Sequence, residues 1–325
     1  MKFDYFFQAA KLLIKARFFK IKIPLAVSWS LTFRCNQRCL YCAIWKHDCR
    51  EMVTPEVLSM MTEFIKLGTK WISFTGGEPL MRDDIGAIVQ YAKNKNIYVS
   101  VSSNGRLVTR RINQLKGIDR IKLTLDGPAE TNDIVRGAGS FDAVMEAIDA
   151  CKKNGIPICL QCVLSKYNLD SVDWVIDFAT TNKLKILFQP AVKELLWSMA
   201  PNVIAPSKEA YRRAIIQLIK RKQEGAPISN SLSGLRHLYC WPEPKKIYCS
   251  AGRLSFNIGP DGTILACNRL YRDLTGIKKD ININDIIKGI KPVLSCDQCW
   301  CSSLVEFNLI TSLNLKAIIN YLRNC

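Results

Sequence analysis

Six short apolar runs, each followed by a stretch with helical spacing, constrain this chain more than any other feature. The runs are LAVSWSLT (25–32), WISFT (71–75), IYVSVS (97–102), RIKLTL (120–125), IPICLQCVL (156–164) and KILFQ (185–189), and their length and β-branched content predict strands. Helical patterns start near Thr54-Pro55, Asp83, Thr109, Ser140 and Asn168, and another follows Pro206. Strand-helix units in series predict an α/β fold, either a parallel sheet or an open barrel, because parallel neighbours need a crossover connection. In such a fold the site lies in the loops at the C-terminal ends of the strands.

The regular alternation stops near residue 225. GAPISNSLSG reads as a linker, and the rest of the chain is short, cysteine-rich and weakly periodic, as expected of a small second domain stapled by metal. The ending SLVEFNLITSLNLKAIINYL predicts one final amphipathic helix over 303–325.

Fourteen cysteines exceed what packing needs, and the start MKFDYFFQAAKLLIKARFF has no secretory cleavage pattern, since lysines break its apolar residues. The expected compartment is therefore a reducing cytoplasm, where clustered cysteines bind metal more often than they pair. No run approaches the roughly 18 apolar residues of a spanning helix.

A net charge of +18 points to an anionic partner without distinguishing nucleic acid, lipid or phosphorylated substrate. Residues 1–24 hold six Lys or Arg against the single Asp4. Asp4, Gln8, Lys11 and Lys15 recur opposite Phe6, Leu13, Ile14 and Phe18, the pattern of a basic amphipathic helix. Two settings suit it: the inner surface of an anionic membrane, bound peripherally through residues 1–22, or the flank of the domain.

FRCNQRCLYC (33–42) sets Cys35, Cys39 and Cys42 directly after the first predicted strand. Three thiols there can converge on one ion or cluster. A tetrahedral zinc site needs four ligands, and His47 and Cys49 fit no familiar zinc spacing. On a four-iron cluster, three thiolates leave one iron open to a reactant.

CxxxCxxC with Tyr41 before its last cysteine resembles the signature of the radical S-adenosylmethionine (radical SAM) family. Thr75-Gly76-Gly77-Glu78-Pro79 is similar to that family's GGE motif, whose backbone and Glu bind the amino group of SAM. Gly76 and Gly77 would allow close approach of peptide groups, and the Glu78 carboxylate suits an ammonium. SVSSNG (100–105) and TLDGPAETNDIVRGAGSFD (124–142) resemble two further segments. The resemblance implies that Ser102 or Ser103, with Arg136, holds the SAM carboxylate. It spans roughly residues 25–225 and implies a partial (β/α)6 TIM barrel. Asp126 is a weak catalytic candidate on the substrate side, or else only a turn residue of Asp-Gly-Pro. In Cys159-Leu160-Gln161-Cys162 the two-residue strand period sends the thiols to opposite faces, so these cysteines, and Cys151 and Cys49, read as packing residues.

Cys249, Cys267, Cys296, Cys299 and Cys301 form a second group. FNIGPDGTILACN between the first two predicts a hairpin turning at Pro260-Asp261-Gly262, which brings Cys249 and Cys267 together. A cysteine, Gly262, Cys267 and then CxxC resemble the twitch form of the SPASM extension, assigned to 226–302. That resemblance implies one auxiliary [4Fe-4S] cluster on Cys249, Cys267, Cys296 and Cys299, with Cys301 or Cys240 as substitutes. A structural zinc ribbon is the alternative.

The family resemblance implies an enzyme that reductively cleaves SAM at a [4Fe-4S] cluster. The resulting 5′-deoxyadenosyl radical abstracts hydrogen from its substrate, and an external donor such as flavodoxin or ferredoxin supplies the electron. The expected reaction is an oxidation or rearrangement of a small or lipid-linked biosynthetic intermediate. A peptide maturase is the second expectation. It is set back by the short segment before the barrel and by Asn268, which stands where sulfatase-maturing relatives carry an acidic base after the cysteine. His47 and His237 are the imidazoles available instead. An RNA-binding protein with structural zinc is the reading from another class, and the barrel loops lack the aromatic and basic interleaving it needs. Trp197 and Met199 of the apolar loop after the sixth strand are expected to line the pocket.

Overall fold

The computed structural model describes residues 12–13, 21–196, 198, 200–267, 282–293 and 295–323. Most of the basic amphipathic segment, Asn268, Trp197 and Met199 lie outside these residues.

The strands are β1 (Ala26–Thr32), β2 (Trp71–Gly76), β3 (Tyr98–Ser103), β4 (Arg120–Thr124), β5 (Ile158–Leu164), β6 (Lys185–Pro190), β7 (Ile247–Tyr248), β8 (Ser255–Ile258), β9 (Ile264–Leu265) and β10 (Ser295–Cys296). Between and after them run α1 (Thr54–Lys66), α2 (Ile85–Asn94), α3 (Val108–Arg111), α4 (Ala129–Arg136), α5 (Ser140–Lys153), α6 (Val172–Thr181), α7 (Lys208–Gln223), α8 (Leu232–Leu238), α9 (Ile283–Gly289), α10 (Ser302–Thr311) and α11 (Leu315–Arg323). One sheet runs in the order β6-β5-β4-β3-β2-β1-β8-β9, and β1 to β6 pair parallel. This is the open α/β barrel that the alternation predicts.

One face of the sheet carries Val27, Trp29, Ile72, Phe74, Val99, Val101, Ile121 and Leu160, fully buried in the core shared with the helices. Those helices earn their place by amphipathic spacing: α1 buries Val57, Met61 and Phe64, and α2 buries Ile85, Ile88, Val89 and Ala92. Alternate positions face the concave side, where Ser28, Ser73, Thr75, Ser102, Lys122 and Gln161 keep partial access.

Two sequence readings change. Residues 226–302 do not stand apart, because β8 pairs parallel to β1 through Ala26↔Ser255 to Trp29↔Ile258 and extends the barrel sheet. The predicted β8–β9 hairpin forms. The single terminal helix is two: Leu313 takes a φ of 66°, and Asn314 accepts the amide of Ala317 at 3.0 Å, which starts α11 afresh. α4 is not among the predicted helices, since AETNDIVR is short and mostly polar. Among the described residues no helix is long and apolar enough to cross a membrane.

Candidate active site

The loop after β1 holds the three cysteines by backbone bonds to its surroundings. Cys42 N–H donates to Cys39 O at 3.0 Å, Leu40 N–H to Val135 O of α4 at 3.0 Å, and Ala43 N–H to Leu196 O beyond β6 at 2.9 Å. Cys39 and Cys42 lie against a patch of Tyr41, Val135, Val163, Ala191 and Ile204. The three thiols share one electrostatic environment: burial first, and then Cys39 and Cys35, push the Cys42 thiol up to about 12. Cys39 and Cys42 thus sit together against an apolar patch, and all three thiols keep partial access. Among the described residues no three His, Cys, Asp or Glu groups close around a single metal ion.

Gly76 and Gly77 seat this loop. A Cβ at Gly76, whose φ is 127°, would lie 2.2 Å from Thr32 O, and one at Gly77 would lie 2.1 Å from Arg34 O and 2.6 Å from Phe33 O. The end of β2 therefore touches backbone at the start of the cysteine loop, and Gly77 N–H donates to Thr32 O at 2.8 Å. Glu78 comes next, 1% exposed. Its carboxylate accepts from Leu80 N at 3.2 Å, Ser103 Oγ at 3.0 Å and Asn104 N at 2.8 Å. Burial raises it to about 7 against those three bonds.

Those contacts separate the two serines. Ser103 Oγ is committed to Glu78 and to the Gly105 amide at 3.1 Å, whereas Ser102 faces the concave side.

Across the site, Arg136 at the end of α4 is 3% exposed. Its Nη1 donates to Tyr41 Oη and, at 3.4 Å, to Asp126 Oδ2, while Nη2 reaches Gln37 Oε1 at 3.2 Å. Tyr41 Oη also donates to Asp126 Oδ2 at 3.2 Å, and Asp126 Oδ1 accepts the Val163 amide at 2.7 Å. Asp126 is fully buried with both oxygens engaged, which removes it as a free catalytic group. It positions Tyr41 and Arg136 instead. Burial raises its carboxyl, and Arg136 opposes the rise.

Sequence reasoning missed Gln37 and Asn104. Gln37 Oε1 is 3.8 Å from Cys39 Sγ, and the Asn104 amide is 3.9 Å from Cys35 Sγ and 2.7 Å from Asn36 Oδ1. The only available signal was position: each sits inside a motif read for its neighbours. Gln37 Nε2 and Arg136 Nε are buried donors with no partner. Donors left open beside Cys39 fit a polar, anionic ligand such as the carboxylate of SAM.

The second thiol group also assembles. β10 pairs antiparallel with β7, placing Cys296 opposite Ile247, and Cys249 and Ala266 pack with Cys267 and Cys296. Burial raises the Cys299 thiol, and Cys301, Cys296, Cys249 and Cys267 raise it further. Cys301 is the exposed member. Buried Asn308 reaches Cys299 Sγ at 3.7 Å and accepts the Ser250 amide at 2.9 Å. Cys240, in the turn after α8, instead points its thiol at Arg236 O of that helix, 3.7 Å away. His237 bonds Cys299 O at 2.9 Å and lies against Trp300, so it props this loop, and burial lowers it further from protonation. His47 packs edge-on to Phe33. Cys151 and Cys162 are core residues, and Cys159, on the opposite face from Cys162, lies 3.9 Å from Ser229 Oγ.

Residues 29–179 match the family model described as Radical SAM superfamily. Fe-coproporphyrin III synthase of Methanosarcina barkeri is 33% identical over 175 residues, 52% of this chain and 44% of that protein. The mycofactocin maturase MftC of Mycolicibacterium smegmatis is 27% identical over 268 residues, 75% of this chain and 64% of that protein. The chain thus spans less than two thirds of the length of these relatives. Among solved structures, SuiB of Streptococcus suis bound to its precursor peptide SuiA superposes with a TM-score of 0.68 at 16% identity, covering 86% of this chain and 68% of that one, a likeness of fold.

Proposed function

Since residues 29–179 are a radical SAM domain, we propose that the chain is a radical SAM maturase that modifies a peptide by hydrogen-atom abstraction. A [4Fe-4S] cluster with SAM would supply, when bound, one-electron reductive cleavage to a 5′-deoxyadenosyl radical, and an auxiliary cluster would supply an electron acceptor. Cys35, Cys39 and Cys42 would hold the first cluster, and Cys249, Cys267, Cys296 and Cys299 the second.

Around them the chain's own groups set the ligand. Asp126 and Tyr41 fix the Arg136 guanidinium, and Ser102 stands free on the concave face to share a carboxylate with it. Glu78 ties the ends of β2 and β3 together and offers its buried carboxyl near the ligand's ammonium. The wall of Tyr41, Val135, Val163 and Ile204 gives Cys39 and Cys42 an apolar flank.

The observation that carries the peptide reading is the reach of the match to mycofactocin maturase. It covers 75% of this chain and so runs well beyond the 151 positions from 29 to 179. It favours a peptide over the small or lipid-linked intermediate expected from the sequence. The length of the segment before β1 does not weigh against a peptide, because a lumen open at one side can hold an extended chain itself. A tetrapyrrole is the second reading, favoured by the higher identity to Fe-coproporphyrin III synthase over a shorter stretch.

Anaerobic reconstitution tests the proposal. Two clusters give about eight irons per chain, and dithionite with SAM should yield 5′-deoxyadenosine. Peptides encoded beside the gene and Fe-coproporphyrin III are then offered separately. A mass change in a peptide supports the reading; turnover of the porphyrin alone overturns it.

A further inference from the structure

Lys122 occupies the middle of β4, in register with Ser102 of β3 and Cys159 of β5. Its neighbours along the strand, Ile121 and Leu123, enter the helix-side core, so the strand period turns Lys122 into the barrel lumen. Around it the accessible lumen positions Ser28, Ser73, Thr75, Ser102, Gln161 and Asn257 are uncharged, and Arg120, two residues back on the same face of β4, adds a second positive charge. Among the described residues Lys122 makes no ion pair and no hydrogen bond. The groups that act on its charge are the thiols of Cys159 and Cys301 and the guanidinium of Arg120.

An ammonium enclosed by protein without a carboxylate partner is costly unless something else supplies the anion. Here the location says what that is. Lys122 lies one strand from Ser102, which the proposed function assigns to the ligand's carboxylate, and within electrostatic range of Cys301 of the second thiol set. A molecule that reaches Lys122 therefore lies in the lumen next to the strand that carries Ser102. The hydroxyls around it can orient an anion but cannot neutralise it.

We propose that Lys122 is the anion-binding residue of the lumen and takes a carboxylate of the substrate. The inference rests on the radical SAM reading for the place of the substrate. It adds a substrate class: a carboxylate, borne by a peptide terminus or acidic side chain or by a tetrapyrrole propionate. Lys122 sets affinity and orientation, with no part in bond making.

Binding to the reconstituted full chain with SAM and no reductant tests this without chemistry. The probes are N-acetyl-Ala-Ala-Tyr as the free acid and as the amide, with coproporphyrin III as a separate arm. The acid, the porphyrin or both should bind wild type and lose about tenfold or more in K122Q, while K122R retains binding. The amide should be unaffected. Loss confined to one probe identifies the source of the carboxylate. Wild-type protein gives a second measurement: the bound anion should protect Lys122 from acetylation by an activated ester, read by mass spectrometry, and the amide should not. Equal affinities in wild type and K122Q, or acetylation of Lys122 that no acid slows, would overturn the proposal. Because no reductant is present, this result is independent of whether SAM is cleaved.

Discussion

The carboxylate of Asp126 and the guanidinium of Arg136 meet at 3.4 Å, with side-chain exposures of 0% and 4%. Breaking a buried pair by removing one partner strands the other charge, at a cost of about 3–5 kcal/mol. D126N should therefore lower stability by about that amount in urea unfolding. It should also weaken SAM binding, because Tyr41 and Arg136 lose their common acceptor. A variant with wild-type stability would show that Asp126 does not organise the site.

Gly77 should tolerate no side chain. Its would-be Cβ lies 2.1 Å from a main-chain oxygen of the cysteine loop, which cannot swing away as a side chain can. G77A should displace that loop and remove the cluster on Cys35, Cys39 and Cys42, so that iron falls from about eight to about four per chain. The auxiliary cluster's spectrum should persist. Full iron content in G77A would mean that the loop yields.

How far all this could be read from the chain depends on whether the cause is local. Cys35, Cys39 and Cys42 were legible because their spacing and their place after a strand are sequence-local facts. The six parallel strands were legible for the same reason. Asn104 was not, since its contact with Cys35 joins two loops brought together by the sheet, and Gln37 was not, since its bond to Arg136 comes from α4 on the far side of the site. Lys122 read as one polar position in a strand until the curvature of the barrel gave its side chain an inside. The break at Leu313 escaped because apolar spacing continues across it, while the interruption is made by a backbone angle and the Asn314 cap.

Glu306 offers a pH test away from the cysteines. It accepts the Ser231 amide at 2.8 Å, and burial raises it to about 7 from 4.5, against the pull of Ser231 and Lys222. With the folded pKa above the unfolded one, the folded state holds the proton more tightly. Stability is then greatest below pH 4.5 and falls as pH rises toward 7. Glu306 retains some solvent access, so the expected loss is about 2 kcal/mol, less than the full shift implies. Lys222, lowered to about 8 by burial, stays mostly charged over this window. Urea unfolding of wild type and E306Q at pH 5 and pH 7.5 checks this. The variant should lose less stability than wild type, and parallel losses would remove the assignment.

The auxiliary ligand set can be decided by exposure and enclosure together. Cys249 and Cys299 are 4% and 5% exposed, Cys267 and Cys296 pack against the same small core, and Cys301 alone is exposed. A cluster thiolate is shielded by the fold that delivers it, and Asn308 already stands at Cys299 Sγ, as groups around metal ligands do. Single serine substitutions of Cys249, Cys267, Cys296 and Cys299 should each lower iron from about eight toward about four per chain. C301S should keep about eight and the wild-type paramagnetic spectrum of the reduced protein. Loss of the second cluster in C301S, with retention in one of the other four, would exchange Cys301 for that residue and place the cluster nearer the lumen, toward Lys122.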